Sequence, residues 1–458
     1  MNSSWLTIAL GIAGTLNAPA VTSAASQPNI LLIVADDLGW NDVGYHNSRM
    51  RTPTLDRIAA EGVRLNWHYV TTECTPTRVC LMTGRHPSRF GPHCTHASNE
   101  QAFTIGTPTL ASVLKSAGYE TAIVGKWHLG SKPEWGPNHH GFDHSYGSLA
   151  GAVGMYDHRY RLGSPFEKTW HRNHEFLDAE EGHATDLVTA EAVRLIEQPR
   201  ERPFFLYVPF HSVHTPLVEE QKYLDRVSHI EHADRRLYAA AVNHLDDSIG
   251  KLLEALRQNG QLESTLIVFT SDNGAQVHHG GDQYPPPDPK LEHFSSNKPL
   301  RGRKTEVYEG GIRVPALVYW PGTLAPQVCE APLHAVDWLP TLAKLAGTQA
   351  PQDASLDGID AWPQLSGKAG EQSPRTLYWN RSAGNQRRTA LRHGDWKLLR
   401  PDTDAPWELY NLADDPYETT NLVAKEPGQV QELQVLFSVQ QAKDARIRTA
   451  TPAAPASP

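Results

Sequence analysis

The sequence predicts an α/β fold: a large mixed or parallel sheet flanked by helices, with a smaller C-terminal domain built on a short antiparallel sheet. Three observations predict it. Four unbroken apolar runs are long enough for buried strands, helical patterns separate these runs, and the composition changes after residue 347. Alternating strands and helices are typical of a sheet that helices cover on both faces.

Each apolar run ends in polar residues. The runs are "NILLIVADD" (29–37), "TAIVGKWH" (121–128), "PFFLYVPFHSVH" (203–214) and "STLIVFTSDNG" (264–274). Apolar runs without alternation suit strands that are buried on both faces. Because ligands of open α/β sheets bind beyond the carboxyl ends of the strands, we expect these polar ends to form one site.

The helical patterns and the later segments define the predicted domains. Helices are expected at residues 52–61, 107–117, 184–197 and 237–258. After residue 347, turns rich in Pro and Gly separate short segments that are typical of antiparallel strands, "TLYWN" (376–380), "TALRHGDWKLLR" (389–400) and "WELYNL" (407–412). We therefore expect a catalytic α/β domain over residues 26–369, a small α+β subdomain over 370–445 and a disordered, low-complexity tail over 446–458.

The N-terminus predicts export of the protein, and the net charge limits the class of its partners. Residues 1–25 have the pattern of a secretory signal peptide, with an apolar stretch from Trp5 to Leu16 and small residues before a cleavage site near Ala24 or Ala25. The stretch is shorter than the roughly 20 apolar residues that span a bilayer. We expect an exported protein, periplasmic or secreted, without stable membrane insertion. The net charge of −9 argues against nucleic acid as the main partner, because binding the phosphate backbone needs a basic surface.

Two of the four strand ends offer only oxygen ligands. Asp36 and Asp37 follow the first run, and Asp272 and Asn273 follow the last. Hard cations such as Ca²⁺ or Mg²⁺ prefer such ligands, whereas zinc prefers nitrogen or sulfur. A single pair of this kind is more often a turn or a helix cap, but two pairs at one sheet edge predict a metal site.

Basic groups accompany this predicted metal site. Lys126, His128 and His214 end the other two runs. The basic segment "RGRK" (301–304) is followed by "YEGGIRVP" (308–315), which suggests that the chain re-enters the core there. A divalent cation with lysine and arginine groups forms a pocket for a small oxyanion ester. For His211 the choice between a supporting role in the site and a satisfied buried histidine stays open.

The four cysteines, Cys74, Cys80, Cys94 and Cys329, do not define the fold. They are too few and too scattered for a disulfide scaffold, and there is no CxxC pair to suggest structural zinc. We expect at least one of them to take part in the reaction that the protein catalyses.

Several segments resemble one enzyme family. "CTPTRVCLMTGR" (74–85) resembles the first signature of the type I sulfatases, Cys-x-Pro-Ser-Arg followed by Leu-Thr-Gly-Arg, with Thr77 in place of the serine. "GYETAIVGKWHLG" (118–130) resembles their second signature, and "PLRGRKTEVYEGG" (299–311) and "DWLPTLAKLAG" (337–347) resemble later segments. The sequence is similar to the arylsulfatase B-like branch, the N-acetylgalactosamine 4-sulfatases, and the resemblance implies an alkaline-phosphatase-like fold.

The resemblance also implies cofactors and site residues. A formylglycine-generating enzyme would convert Cys74 to formylglycine during maturation. The implied ligands of Ca²⁺, with Mg²⁺ as the alternative ion, are Asp36, Asp37, residue 74, Asp272 and Asn273. The implied catalytic residues are Cys74, Arg78, Lys126, His128, His214 and Lys304. If Cys74 is modified, three cysteines remain, so at most one internal disulfide can form.

The same resemblance implies a mechanism. One hydroxyl of the formylglycine hydrate, activated by the cation and Arg78, attacks sulfur and gives a covalent sulfo-enzyme intermediate, while lysines neutralise the sulfate oxygens. His214 protonates the departing oxygen. His128 then takes the proton of the second hydroxyl, which expels sulfate.

The implied substrate is a galacto-configured sugar, 4-sulfated galactose or N-acetylgalactosamine of a glycosaminoglycan or an algal galactan. Another sulfated glycan or an aryl sulfate is an alternative. Residues 91–100, 151–161 and 276–288 are candidate specificity loops, although ordinary surface loops are an equal alternative.

Two other functions are alternatives to a sulfatase. A phosphatase or phosphodiesterase of the same superfold typically uses a Ser or Thr nucleophile with two zinc ions, and Cys74 and Asn273 argue against it. A sulfated-glycan-binding module without activity would not need Cys74, His128 and His214 together.

Overall fold

The computed structural model describes Met1 and residues 27–47, 49–160, 165–178, 180–277, 295–370 and 373–445. The predicted signal peptide, apart from Met1, the predicted tail and nearly all of the 276–288 segment lie outside the described residues. The strands are β1 Asn29–Ala35, β2 Val63–Leu65, β3 His68–Tyr69, β4 Glu120–Lys126, β5 His144–Ser148, β6 Trp170–Arg172, β7 Glu175–Phe176, β8 Phe204–Pro209, β9 Thr265–Ser271, β10 Ala316–Tyr319, β11 Gln327–Cys329, β12 Leu333–His334, β13 Thr376–Ala383, β14 Gln386–His393, β15 Trp396–Arg400 and β16 Glu408–Asn411. The α-helices are α1 Pro53–Glu61, α2 Cys74–Thr83, α3 Leu110–Ser116, α4 Ala184–Glu197, α5 Gln221–Arg226, α6 Ala233–Gln258, α7 Glu309–Ile312, α8 Trp338–Leu345, α9 Trp362–Leu365 and α10 Pro427–Gln441.

The main sheet is mixed and has the strand order β11-β2-β10-β9-β1-β8-β4-β5-β6-β7. The four apolar runs of the sequence form β1, β4, β8 and β9, which are neighbours in this order and parallel to one another. Their carboxyl ends therefore lie at one edge of the sheet, as predicted. On either side of this parallel group the sheet becomes mixed: β10 pairs antiparallel with β9, and β6 pairs antiparallel with β5.

Side chains of β1 point alternately to the two faces of the sheet. Leu31 and Ile33 pack in a core with α1, α4 and α6, whereas Leu32 and Val34 pack in a second core with α2, α3 and α8. Because both faces are covered, every position of a central strand can be apolar, which is why the run shows no alternation. The predicted fold class is confirmed.

The helix predictions were correct in place but not always in length. The helix expected over 184–197 has those bounds. The helix expected from residue 237 begins earlier, at Ala233, because the side chain of His232 caps it by accepting a hydrogen bond from the backbone N–H of Arg235. The helix expected over 107–117 is shorter, because Thr109 and Ser112 form a capping box that starts it at Leu110.

The C-terminal sheet is antiparallel, in the order β13-β14-β15-β16, and α10 packs against it. A buried charged cluster joins it to α7: Nζ of Lys397 lies 2.7 Å from carboxylate oxygens of both Glu309 and Glu418. All four cysteines are buried and none forms a disulfide. Among the described residues, no helix combines the length and apolar character needed to cross a membrane.

Candidate active site

The predicted site residues converge at the carboxyl edge of the four parallel strands. Asp36 and Asp37 follow β1, Lys126 ends β4, and Asp272 and Asn273 follow β9. Residues from loops and a helix complete the cluster: Cys74 begins α2, with Arg78 one turn later, and His128, His214 and Lys304 lie in loops. All of these side chains except that of Lys304 are buried.

The oxygen groups lie against one another. The backbone N–H of Asp37 donates to Oδ1 of Asp272 at 3.2 Å, and Nδ2 of Asn273 donates to Oδ1 of Asp37 at 2.6 Å. Oδ1 of Asp36 and Oδ1 of Asn273 are buried and have no hydrogen-bond partner among the described residues. Buried oxygens without donors carry a desolvation cost that a bound cation would remove. The donor set therefore fits a hard cation such as Ca²⁺.

Three cationic side chains pair with these carboxylates. Nζ of Lys126 lies 2.5 Å from Oδ2 of Asp36, and Nη2 of Arg78 lies 2.8 Å from Oδ2 of Asp272. Nζ of Lys304 lies 2.7 Å from Oδ1 of Asp37. The site thus holds equal numbers of acidic and basic groups in direct contact, in an environment of low dielectric constant.

The two adjacent aspartates have opposite pKa shifts. Burial, together with the charge of Asp272, raises the pKa of Asp36 to about 8. Burial by itself would also raise the pKa of Asp37, but Lys304 and His214 outweigh it and bring that pKa to about 2. Asp36 is therefore the carboxylate whose ionised form most needs an additional positive charge.

Cys74 is almost fully buried at the start of α2. Burial raises the pKa of its thiol to about 11, although Lys126 and Lys304 act in the opposite direction. An unmodified Cys74 is therefore protonated at neutral pH and is a poor nucleophile. Thr77 replaces the serine of the motif without disturbing it, because its hydroxyl oxygen accepts a hydrogen bond from the backbone N–H of Thr71 at 2.9 Å.

Two histidines face the cluster. Nε2 of His214 lies 3.7 Å from Oδ2 of Asp37, and burial together with Lys304 lowers its pKa to about 3. His128 has a positive φ of 55°, a conformation that is uncommon outside glycine and is found at functional sites. Nδ1 of His128 is buried and has no hydrogen-bond partner among the described residues.

His211 lies behind this cluster. Its Nε2 is 2.9 Å from Oγ of Ser148, whose hydroxyl donates to the carbonyl oxygen of Ala150. Nε2 of His211 must then be the donor in this contact, and burial lowers the pKa of the ring well below its usual value. The ring is therefore neutral at neutral pH, and its Nδ1 is buried without a hydrogen-bond partner among the described residues.

Comparison with known proteins decides the family. The sulfatase family model matches residues 28–348. The chain belongs to the sulfatase family. A second model, described as the C-terminal part of N-sulphoglucosamine sulphohydrolase, matches residues 303–443 of this sulfatase. The activity predicted for this chain, that of a sulfuric ester hydrolase, is thereby confirmed. The phosphatase and binding-module alternatives are set aside.

Similar proteins are sulfatases as well. This sulfatase is 33% identical to arylsulfatase J of Mus musculus, over 90% of this chain and 76% of that protein. It is 37% identical to N-acetylgalactosamine-6-sulfatase of Homo sapiens, over 75% of this chain and 67% of that protein. The crystal structure of Ps i-CgsB in complex with k-i-k-neocarrahexaose is 32% identical, has a TM-score of 0.82, and covers 92% of this chain and 94% of that one. Membership of the type I sulfatases is confirmed, and the narrower 4-sulfatase branch stays a prediction.

The C-terminal sheet of this sulfatase contributes contacts that the sequence did not reveal. Nε of Arg381 lies 2.7 Å from a carboxylate oxygen of Glu73, the residue before Cys74. Nε1 of Trp379 donates to the backbone oxygen of Val70 at 2.8 Å. Glu73 and Arg381 are 308 positions apart, so no spacing in the sequence could have indicated their contact.

Two of the candidate specificity loops meet at one side chain. Oδ1 of Asn99 accepts hydrogen bonds from the hydroxyl of Ser131 at 2.9 Å and from the backbone N–H of Gly151 at 3.0 Å. Gly151 in turn lies against His128, since a Cβ atom at position 151 would be 2.2 Å from Nε2 of that ring. Asn99 and Gly151, one from each loop, therefore limit the space around a predicted catalytic side chain. Of the third loop only residues 276 and 277 are described.

Proposed function

We propose that this sulfatase removes sulfate from a sulfated carbohydrate, a galacto-configured sugar of a glycosaminoglycan or an algal galactan. The observation that carries the proposal is the convergence of a basic cluster and an oxygen-ligand cluster on Cys74. The relatives support the carbohydrate class: one is an N-acetylgalactosamine-6-sulfatase, and the i-CgsB structure holds a neocarrahexaose. We propose 4-sulfated galactose or N-acetylgalactosamine as substrate, with the 6-sulfated sugars as the competing possibility.

We further propose that Cys74 is converted to formylglycine by a formylglycine-generating enzyme. The hydrate of that aldehyde would supply an oxygen nucleophile that the buried, protonated thiol does not. The Cys, Pro and Arg positions of the motif are present as Cys74, Pro76 and Arg78. The positive charges of Lys126 and Lys304 both act to lower the pKa of residue 74, at the start of α2.

Asp36, Asp37, Asp272 and Asn273 would hold a calcium ion next to residue 74, with magnesium as the alternative. When bound, the ion supplies positive charge to the nucleophile and to the sulfate oxygens. The fit rests on the two unpartnered oxygens of Asp36 and Asn273 and on the high pKa of Asp36.

The remaining side chains have separate roles in this proposal. Lys126 and Lys304 bind the sulfate oxygens and stabilise the charge that moves onto them in the transition state. Arg78 holds Asp272 and the carbonyl oxygen of Lys126 in place through its two terminal nitrogens.

The two histidines move protons. His214 protonates the departing sugar oxygen, which requires the negative charge of bound substrate to raise the low pKa of its ring. His128, whose Nδ1 is unpartnered among the described residues, accepts a proton when sulfate is released.

Mass spectrometry of the peptide that carries Cys74 tests the modification. In protein made with a formylglycine-generating enzyme, the peptide should carry an aldehyde in place of the thiol, and the Cys74→Ala variant should be inactive. A sulfatase-active preparation that contains only unmodified Cys74 would overturn the proposal. Rates on 4-sulfated and 6-sulfated galactose and N-acetylgalactosamine then decide the substrate.

We also propose that the protein is exported and loses residues 1–25. N-terminal sequencing of protein recovered outside the cytoplasm should begin near Ser26. An exported protein that retains Met1 would contradict this cleavage.

A further inference from the structure

A cavity lies next to, but outside, the cluster of predicted catalytic and metal-binding side chains. It encloses about 790 Å³, within the roughly 300–1,000 Å³ typical of ligand pockets. Five of its lining side chains are basic, and none of the described residues that line it is acidic. The five are Arg49, Arg51, His229, Arg235 and Lys298. Since the whole chain has a net charge of −9, this concentration of basic groups is a local feature; we call the cavity the basic cavity.

The basic cavity lies at the same edge of the sheet as the active site. One wall is the loop that follows β1, which also carries Asp36 and Asp37, and another is the segment 295–302, which leads to Lys304. The third wall includes Arg235, in the first turn of α6. Because α6 precedes β9 in the chain and runs back along the sheet, its first turn lies at the carboxyl edge of the strands.

Buried hydrogen bonds fix these three walls to one another. Asp42, which is fully buried, pairs through Oδ1 with Nη1 of Arg235 at 2.8 Å. Its Oδ2 accepts from the hydroxyl of Tyr238 at 3.0 Å and from the backbone N–H of Ser296 at 2.7 Å. The cavity is therefore built before any ligand binds, which lowers the entropic cost of binding.

Three of the basic side chains remain available to a ligand. Arg49, Arg51 and Lys298 are exposed and form no ion pair with the described residues. Arg235, by contrast, is in an ion pair with Asp42. Guanidinium groups bind sulfate-like and carboxylate groups in a bidentate manner, and their charge persists at every physiological pH.

We infer that the basic cavity binds a second anionic group of the same carbohydrate chain whose sulfate ester is hydrolysed. This inference rests on the proposed function and deepens it. A sulfated polysaccharide carries sulfate or carboxylate groups at repeated positions, so a chain held in the active site by one sulfate presents others to neighbouring surfaces. This sulfatase therefore prefers an oligosaccharide or polysaccharide with several anionic groups over a sugar with a single sulfate.

The test compares two substrates with the same terminal sulfated sugar, a monosulfated monosaccharide and an oligosaccharide with further sulfates. In the triple variant Arg49→Ala, Arg51→Ala, Lys298→Ala, the ratio of kcat/KM for the oligosaccharide to kcat/KM for the monosaccharide should fall about tenfold, mainly through KM. A matched control removes three exposed lysines elsewhere, Lys368→Ala, Lys425→Ala and Lys443→Ala, and should keep the wild-type ratio. The wild-type preference should also shrink as ionic strength rises, because exposed charges are screened.

An unchanged ratio in the triple variant would overturn the inference. A second measurement separates this failure from failure of the proposed function: calorimetric binding of the oligosaccharide to the Cys74→Ala variant, with and without the three cavity substitutions, needs no turnover. If the wild type hydrolyses no sulfated carbohydrate, the proposed function fails. If it does, and affinity is independent of the cavity substitutions, only the inference fails. An oligosaccharide with added carboxylates in place of added sulfates shows which anionic group the cavity takes.

Discussion

Arg381, on the C-terminal sheet, forms a buried ion pair with Glu73, the residue immediately before Cys74. Nε of Arg381 lies 2.7 Å from Oε2 of Glu73, and the two side chains are 10% and 9% exposed. The C-terminal sheet therefore contacts the residue next to the predicted nucleophile from outside the main sheet. Breaking such a pair leaves a buried charge without its partner, which is more costly than removing both partners.

The Arg381→Gln substitution should lower kcat by about 10- to 100-fold, because small displacements of a nucleophile are costly. Steady-state kinetics on a sulfate ester measure this loss. The exposed Arg387→Gln, on the same sheet, is the matched control and should behave as wild type. If the double variant Glu73→Gln, Arg381→Gln loses as much thermal stability as Arg381→Gln alone, the buried-charge explanation is wrong.

Removal of the predicted metal should destabilise the protein as well as inactivate it. Adding Ca²⁺ to chelated protein at about 100 times its Kd should raise the free energy of unfolding by about 2.7 kcal/mol. Asn273→Ala should weaken Ca²⁺ binding in calorimetric titration, since it removes an unpartnered buried oxygen. The control Asn259→Ala, at an exposed helix end, should bind Ca²⁺ normally, and equal affinity in both variants would contradict the assignment.

Gly151→Ala should reduce kcat by about tenfold or more, because the added Cβ would lie 2.2 Å from Nε2 of His128 and displace that ring. Circular dichroism should show that the variant is folded. Gly428→Ala is the control, since no atom lies within 4 Å of its added Cβ. Wild-type kcat in Gly151→Ala would mean that the orientation of His128 does not limit the reaction.

Glu418 should make stability depend on pH. Burial, together with the charge of Glu309, raises its pKa from 4.5 to about 7, although Lys397, which pairs with both carboxylates, acts in the opposite direction. A carboxyl group with a raised pKa binds its proton more tightly in the folded state, so its contribution to stability is lost as the pH rises from about 4.5 to about 7.

The Glu418→Gln variant lacks this titration. Its melting temperature should fall less than that of the wild type between pH 4.5 and 7, as measured by calorimetry. Glu426→Gln, at an exposed position, should keep the wild-type slope. Parallel profiles for wild type and Glu418→Gln would show that Glu418 does not titrate in this range.

Local sequence was enough to place the four central strands, the C-terminal sheet and four of the helices, and to predict the site residues. The runs that became β1, β4, β8 and β9 were visible because strands covered on both faces must be apolar throughout. The ends of those strands carry Asp36, Lys126 and Asp272, and because parallel strands end at one edge of a sheet, the sequence predicts that these residues lie together. The starts of α3 and α6 were misplaced because capping by Thr109 and His232 depends on side-chain geometry.

By itself the sequence determined the four apolar strands of the main sheet and the signature around Cys74, whose resemblance indicated the family. Only the tertiary structure decided that Arg381 contacts Glu73, that Lys397 lies between Glu309 and Glu418, and that Arg49 and Lys298 line one cavity. The physical reason is the range of the interactions. Apolar patterning and motifs act between neighbours in the chain, whereas these contacts join distant segments whose approach depends on how the helices, the main sheet and the C-terminal sheet pack.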